Sequence, residues 1–187
     1  MSDEIEVFCG RDGFSVDTAE LAAILRKLNA FAPWHFPAGT LSVAFLGDDE
    51  ICRLHQKFLS DPTETDVITF PGDEIFSAPR PRAIDENPCG GNDEASRGGN
   101  AENPDGAEAF AGEICICVDR AVRIAREMKT TPDDEILLYF VHGWLHLAGF
   151  DDIADEDRVA MRSAEATLLT LLHAENLAPL RSAKFDF

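Results

Sequence analysis

Thr131–Asp152 reads TPDDEILLYFVHGWLHLAGFDD, a long apolar run with a start and a stop signal at its ends. Thr131 is a helix N-cap, Pro132 suits the first helical position, and Asp134 three residues after the cap completes a near capping box. The run is apolar almost all round to Leu147 or Ala148, which predicts a helix buried among other elements, with Gly149 as its left-handed stop. Such a helix needs layers on several sides. Working outward, the spacing supplies them: helices over about Asp119–Met128 and Asp155–His173, and a strand at Glu113–Val118. Further upstream come strands at Glu4–Phe8, Leu41–Leu46 and Asp66–Phe70, the last stopped by Pro71 and Gly72. Asp17 and Glu20 precede a helix with Leu21, Ile24, Leu25 and Leu28 on one face. Another helix runs from Asp48 or Asp49 to about Phe58. The expectation is a single α/β or α+β domain over residues 1–187. Its mixed sheet of about four strands is packed by about five helices.

Residues 73–108 break this pattern. Their PCGGNDEASRGGNAENPDG clusters hold few aliphatic side chains to offset the entropy of ordering them, so they predict a flexible insertion. A chain of 187 residues is long enough to bury roughly 70% of its unfolded surface in one core. The start MSDEIEVFCG carries acids and no apolar run, unlike a secretory signal. Ile136–Phe150 is too short to span a bilayer. These readings predict a soluble, unexported protein. The formal charge of −19 excludes a partner held by overall positive charge, so a nucleic acid needs a local basic patch. Five cysteines without a CxxC predict reduced thiols, not a disulfide frame or zinc ribbon.

Chemistry concentrates in HGWLHLAGFDD, His142–Asp152. His142 and His146 stand one helical turn apart, so both imidazoles leave the same face about 6 Å apart along the axis. The turn at Gly149 can fold a carboxylate of Asp151 or Asp152 over that face. Two neutral imidazoles and a carboxylate are suitable zinc ligands that leave a position for water, and a helix C-terminus favours a cation. Gly143 occupies the position at which an HExxH metalloprotease has its glutamate, which counts against peptide hydrolysis.

This segment resembles the HGxLHLxGyDH signature of the YbeY-type single-strand-specific endoribonucleases, which carry a His-x3-His-x5-His zinc site. TETDVITFP (Thr63–Pro71) is similar to the family's TDVLSFP, and AGEICICVDRA (Ala111–Ala121) to its LGDIvIs strand and following helix. Asp155, Glu156, Met161 and Glu165 match its closing helix. The resemblance implies one α+β domain with its metal in a groove at the C-terminal end of a central helix. It implies one zinc ion per chain on His142, His146 and Asp152, the last standing where most of the family has His. It also implies cytoplasmic, metal-dependent cleavage of single-stranded RNA, in small-subunit ribosomal RNA 3′-end maturation and ribosome quality control. Ribosomal RNA or the ribosome is the expected partner, with no membrane and no DNA.

Leu59 occupies the family's usual arginine position, so no catalytic side chain is assigned. A basic stripe of Arg120, Arg123, Arg126 and Lys129 is the candidate RNA contact, and Arg53 with Lys57 a weaker one. Trp144, turned about 160° from each histidine, belongs to the core. The alternatives are a non-catalytic, metal-stabilised ribosome-assembly factor, kept open by Leu59 and Asp152, and a metallohydrolase of another substrate class.

Overall fold

The computed structural model describes residues 4–31, 34, 36–61, 63–72, 109–178 and 180–186; the insertion predicted over residues 73–108 lies outside them. Strands β1 (Ile5–Cys9), β3 (Thr40–Leu46), β5 (Phe110–Cys117) and β4 (Val67–Pro71) form one sheet in that order. The first three run parallel, and β4 pairs antiparallel to β5 with Pro71 opposite Gly112. Around them are helices α1 (Thr18–Asn29), α2 (Asp48–Leu59), α3 (Val118–Met128), α4 (Pro132–Leu147) and α5 (Asp155–Ala174). The fold is thus α+β with a mixed sheet, as the sequence leads one to expect. Among the described residues no helix is long and apolar enough to cross a membrane.

Strand alternation divides the core in two. Leu41, Val43 and Phe45 of β3, with Ile114 and Ile116 of β5, face the larger cluster that contains α1, α4 and α5. Ala44, Leu46, Cys115 and Cys117 face the other way, where Ile51 of α2 covers them. Helix α4 lies between the sheet and its neighbours, touching β4, β5, α3 and α5. That placement explains its nearly continuous apolar sequence. Its ends are set locally: Thr131 Oγ1 accepts from the Asp134 N–H, and Gly149 takes φ 94°.

Gly143 brings α4 close to the sheet. A Cβ there would lie 2.6 Å from Ile114 Cγ2 and 3.2 Å from Thr69 Cγ2. A glutamate at this position does not fit, which gives a packing reason for the missing HExxH base.

Two features were not legible in advance. β2 (Phe14–Ser15) and β6 (Lys184–Phe185) pair as a small antiparallel sheet, and two-residue strands leave no periodicity to read. Glu20 does not reach back to complete the α1 cap. Its carboxylate accepts from the Arg181 and Ser182 N–H groups at 3.0 and 2.8 Å, and so anchors the C-terminal segment. Asp17 caps α1 alone, accepting from the Ala19 N–H.

Candidate metal centre

His142 and His146 project from the last turns of α4 with their Nε2 atoms 2.9 Å apart. Asp152, carried back by the turn at Gly149, places carboxylate oxygens 3.9 Å from His142 Nε2 and 4.0 Å from His146 Nε2. One donor atom from each of the three residues lies within 4.8 Å of the others. Asp151 stands outside the three-residue cluster: its Oδ1 accepts from the Asp152 and Ile153 N–H groups, an Asx turn that presents its neighbour.

The outer hydrogen bonds decide what this cluster can hold. His146 Nδ1 lies 3.1 Å from the Phe150 carbonyl. A carbonyl only accepts, so Nδ1 carries the proton and donates. His142 Nδ1 donates in the same way to Glu165 Oε1 at 2.7 Å. In the neutral rings both Nε2 atoms then present lone pairs to each other. A proton between the rings satisfies those two nitrogens and leaves the Asp152 oxygens unanswered, whereas a divalent cation answers all three. Donors each about 2 Å from a tetrahedral zinc lie about 3.3 Å apart, and the observed separations bracket that value. The residues present therefore fit a metal ion.

Burial disfavours charge on His142, but the Glu165 hydrogen bond and the Asp152 and Asp66 carboxylates outweigh it and hold its pKa above the usual histidine value. Burial and the adjacent His142 hold His146 below it. Cys115 and Cys117, the nearest thiols in sequence to a metal motif, face the opposite side of the sheet, and burial pushes both up to about 12. They stay protonated and take no part. The described cysteines are all free thiols.

The cluster opens into a groove of about 250 Å3 between α4, α5 and the start of β4, lined among others by Asp66, His142, Asp152, Arg158, Arg162 and Glu165. Arg158 donates to the Asp152 and Ile153 carbonyls and pairs with Asp155, tying down the loop that carries Asp152. Sequence reasoning gave no role to Arg158, Arg162 or the Glu165–His142 bond. The available signal was the recurrence of 158, 162 and 165 on one face of α5.

The basic stripe is divided. Arg123 pairs with Asp48 and, at 2.9 Å, with Glu64, and Arg120 lies 3.4 Å from Glu64. Arg126 and Lys129 are exposed. None of the four lines the groove. Arg53 and Lys57 are exposed on α2, where Lys57 Nζ stands 4.8 Å from the Phe58 ring centroid. Leu59 is 57% exposed at the end of the same helix. Trp144 is fully buried and stacks on Phe36 at 5.5 Å.

Fold and site together define an α+β protein with a two-histidine, one-carboxylate candidate cation site at the end of its central helix. Residues 11–173 match the family described as Endoribonuclease YbeY. An Endoribonuclease YbeY of Beutenbergia cavernae is 32% identical over 159 residues, covering 84% of this chain and 91% of that protein. One from Acidothermus cellulolyticus is 29% identical over 163 residues, covering 87% and 88%. A Thermotoga maritima protein solved in solution is 20% identical, with a TM-score of 0.47 over 92% of this chain and 94% of its own. The chain belongs to the YbeY endoribonuclease family.

Proposed function

We propose that this protein is a zinc-dependent endoribonuclease that cleaves single-stranded RNA in the cytoplasm. Its substrate in this reading is ribosomal RNA, at the 3′ end of the small-subunit species and in ribosome quality control. Family membership supports the reaction class. The single observation that carries the metal-dependent reading is the convergence of His142 Nε2, His146 Nε2 and the Asp152 carboxylate, with both outer nitrogens already committed.

When bound, zinc supplies Lewis acidity toward a phosphoryl oxygen and lowers the pKa of water. The chain's own residues prepare the site. Glu165 and the Phe150 carbonyl fix the two ring orientations, the outer-shell support that metal-bound histidines require. Arg158 holds the Asp152 loop. Exposed Arg126 and Lys129 are free to meet flanking phosphates, whereas Arg120 and Arg123 must first leave Glu64 and Asp48.

A second reading, a non-catalytic assembly factor, draws on Leu59, an exposed apolar side chain that cannot clamp phosphate. Cleavage of end-labelled single-stranded and duplex RNA spanning the small-subunit 3′ end separates the two. The endoribonuclease reading predicts zinc-dependent cuts in the single strand alone. RNA binding without cleavage at any pH favours the assembly factor.

A further inference from the structure

Several guanidiniums of the described residues are already occupied. Arg120 and Arg123 face Glu64 and Asp48, Arg11 faces Asp119, and Arg158 is spent on Asp155 and two loop carbonyls. Arg162 differs. It lines the groove beside His142 and Asp152, and among the described residues it has no ion pair or hydrogen bond. Arg26, Arg53 and Arg126, exposed as Arg162 is, line no part of that groove. Arg162 follows Arg158 by one turn of α5 and precedes Glu165, the residue that holds His142, by a little less than one turn. The place of its backbone relative to the histidines is therefore set by the helix that also carries Glu165.

The charges of the groove give this arginine a consequence. Three lining carboxylates (Asp66, Asp152 and Glu165) face Arg162 and an Arg158 already neutralised by Asp155, a formal charge of −2 with neutral histidines. A dication on the two histidines and Asp152 brings the same lining to zero. A cation there thus lifts the groove's repulsion of an anion on a chain whose overall charge is −19, and among the described residues that line it Arg162 is the cation not already neutralised. A guanidinium offers two parallel N–H donors that match the oxygens of a phosphodiester.

We propose that Arg162 forms a phosphate-binding subsite, taking a backbone phosphate of single-stranded RNA next to the His142–His146–Asp152 cluster. The proposal rests on the endoribonuclease reading and names a residue that holds its substrate. The full chain at saturating zinc is titrated with a fluorescent single-stranded RNA carrying 2′-O-methyl groups to prevent cleavage, and binding is followed by anisotropy. Arg162→Ala should weaken binding about tenfold, the scale of one charge-assisted hydrogen-bonded contact. It should also flatten the dependence of log affinity on log salt by about 0.7, one phosphate contact on a single strand. Zinc content should be unchanged. Arg26→Ala, the same change of charge on an exposed α1 position, should bind as the unaltered chain does. If Arg162→Ala and Arg26→Ala bind alike while the unaltered chain binds well, the subsite is overturned and the endoribonuclease reading stands. If the unaltered chain does not bind this RNA, both fall together.

Discussion

Gly143→Ala adds one methyl group between α4 and the sheet, and its cost follows from distances. The new Cβ would stand 2.6 Å from Ile114 Cγ2, against about 3.5–4.0 Å for unstrained carbon contacts. Ile114 is fully buried, so α4 has to lift by about 1 Å in a close-packed interior. Overpacking of this kind costs about 1–3 kcal/mol. The better helix propensity of alanine offsets at most about 1 kcal/mol of that. A net loss of about 1–2 kcal/mol corresponds to a Tm lower by about 2–8 °C in a chain of this size. The same lift displaces His142, the preceding residue, from Glu165 and Asp152, so zinc affinity should fall as well. Calorimetry of the variant, of Ile114→Ala and of the double variant checks the cause. Ile114→Ala alone should cost about 2–5 kcal/mol. The double variant should be more stable than the two single losses add up to, by about 1 kcal/mol, because the methyl then fills vacated space. A Gly143→Ala protein that melts at or above the unaltered Tm would refute the close approach of α4 to β5.

Glu165→Gln retains the shape of the side chain but loses the charge that accepts from His142 Nδ1 at 2.7 Å. Zinc affinity measured by chelator competition should drop about 10–100-fold, with little change in the far-ultraviolet circular dichroism. Asp48 gives a pH test distant from the histidines. Burial alone would raise its pKa, but the hydrogen bond and charge of Arg123 hold it below the ordinary 3.8. A carboxylate depressed in the folded state contributes stability that is full above that ordinary value and is lost as pH falls through the lower folded one. Asp48→Asn should therefore lower stability modestly at pH 7, by less than about 1 kcal/mol for so exposed a pair. The difference should vanish in strong acid.

Helix α4 was legible because its signals are local. Thr131, Pro132 and Asp134 mark one end, Gly149 marks the other, and the apolar run between them requires neighbours on several sides. The i,i+4 spacing of His142 and His146 put both rings on one face for the same reason. Other features depend on partners distant in sequence. Spacing left Asp151 and Asp152 equivalent, and the Asx turn at Asp151 separates them. Gly143 reads from sequence as a missing base, whereas its physical role is contact with Ile114 across the layer. The stripe on α3 was visible as a pattern, but the capture of Arg120 and Arg123 by Glu64 and Asp48 depends on α2 and the segment before β4. Arg158 and Arg162 looked like ordinary helix charges until α5 was laid against α4.

Metal content and RNA cleavage measured on the same preparations test the central claim most directly. The protein purified with zinc, its chelator-stripped form and His146→Ala are each assayed by elemental analysis and by cleavage of single-stranded RNA. The unaltered protein should hold about one zinc per chain. Cleavage should disappear on stripping and return with added zinc, and His146→Ala should lose both metal and activity. Undiminished cleavage by the stripped protein, or by a metal-free His146→Ala chain, would contradict the claim.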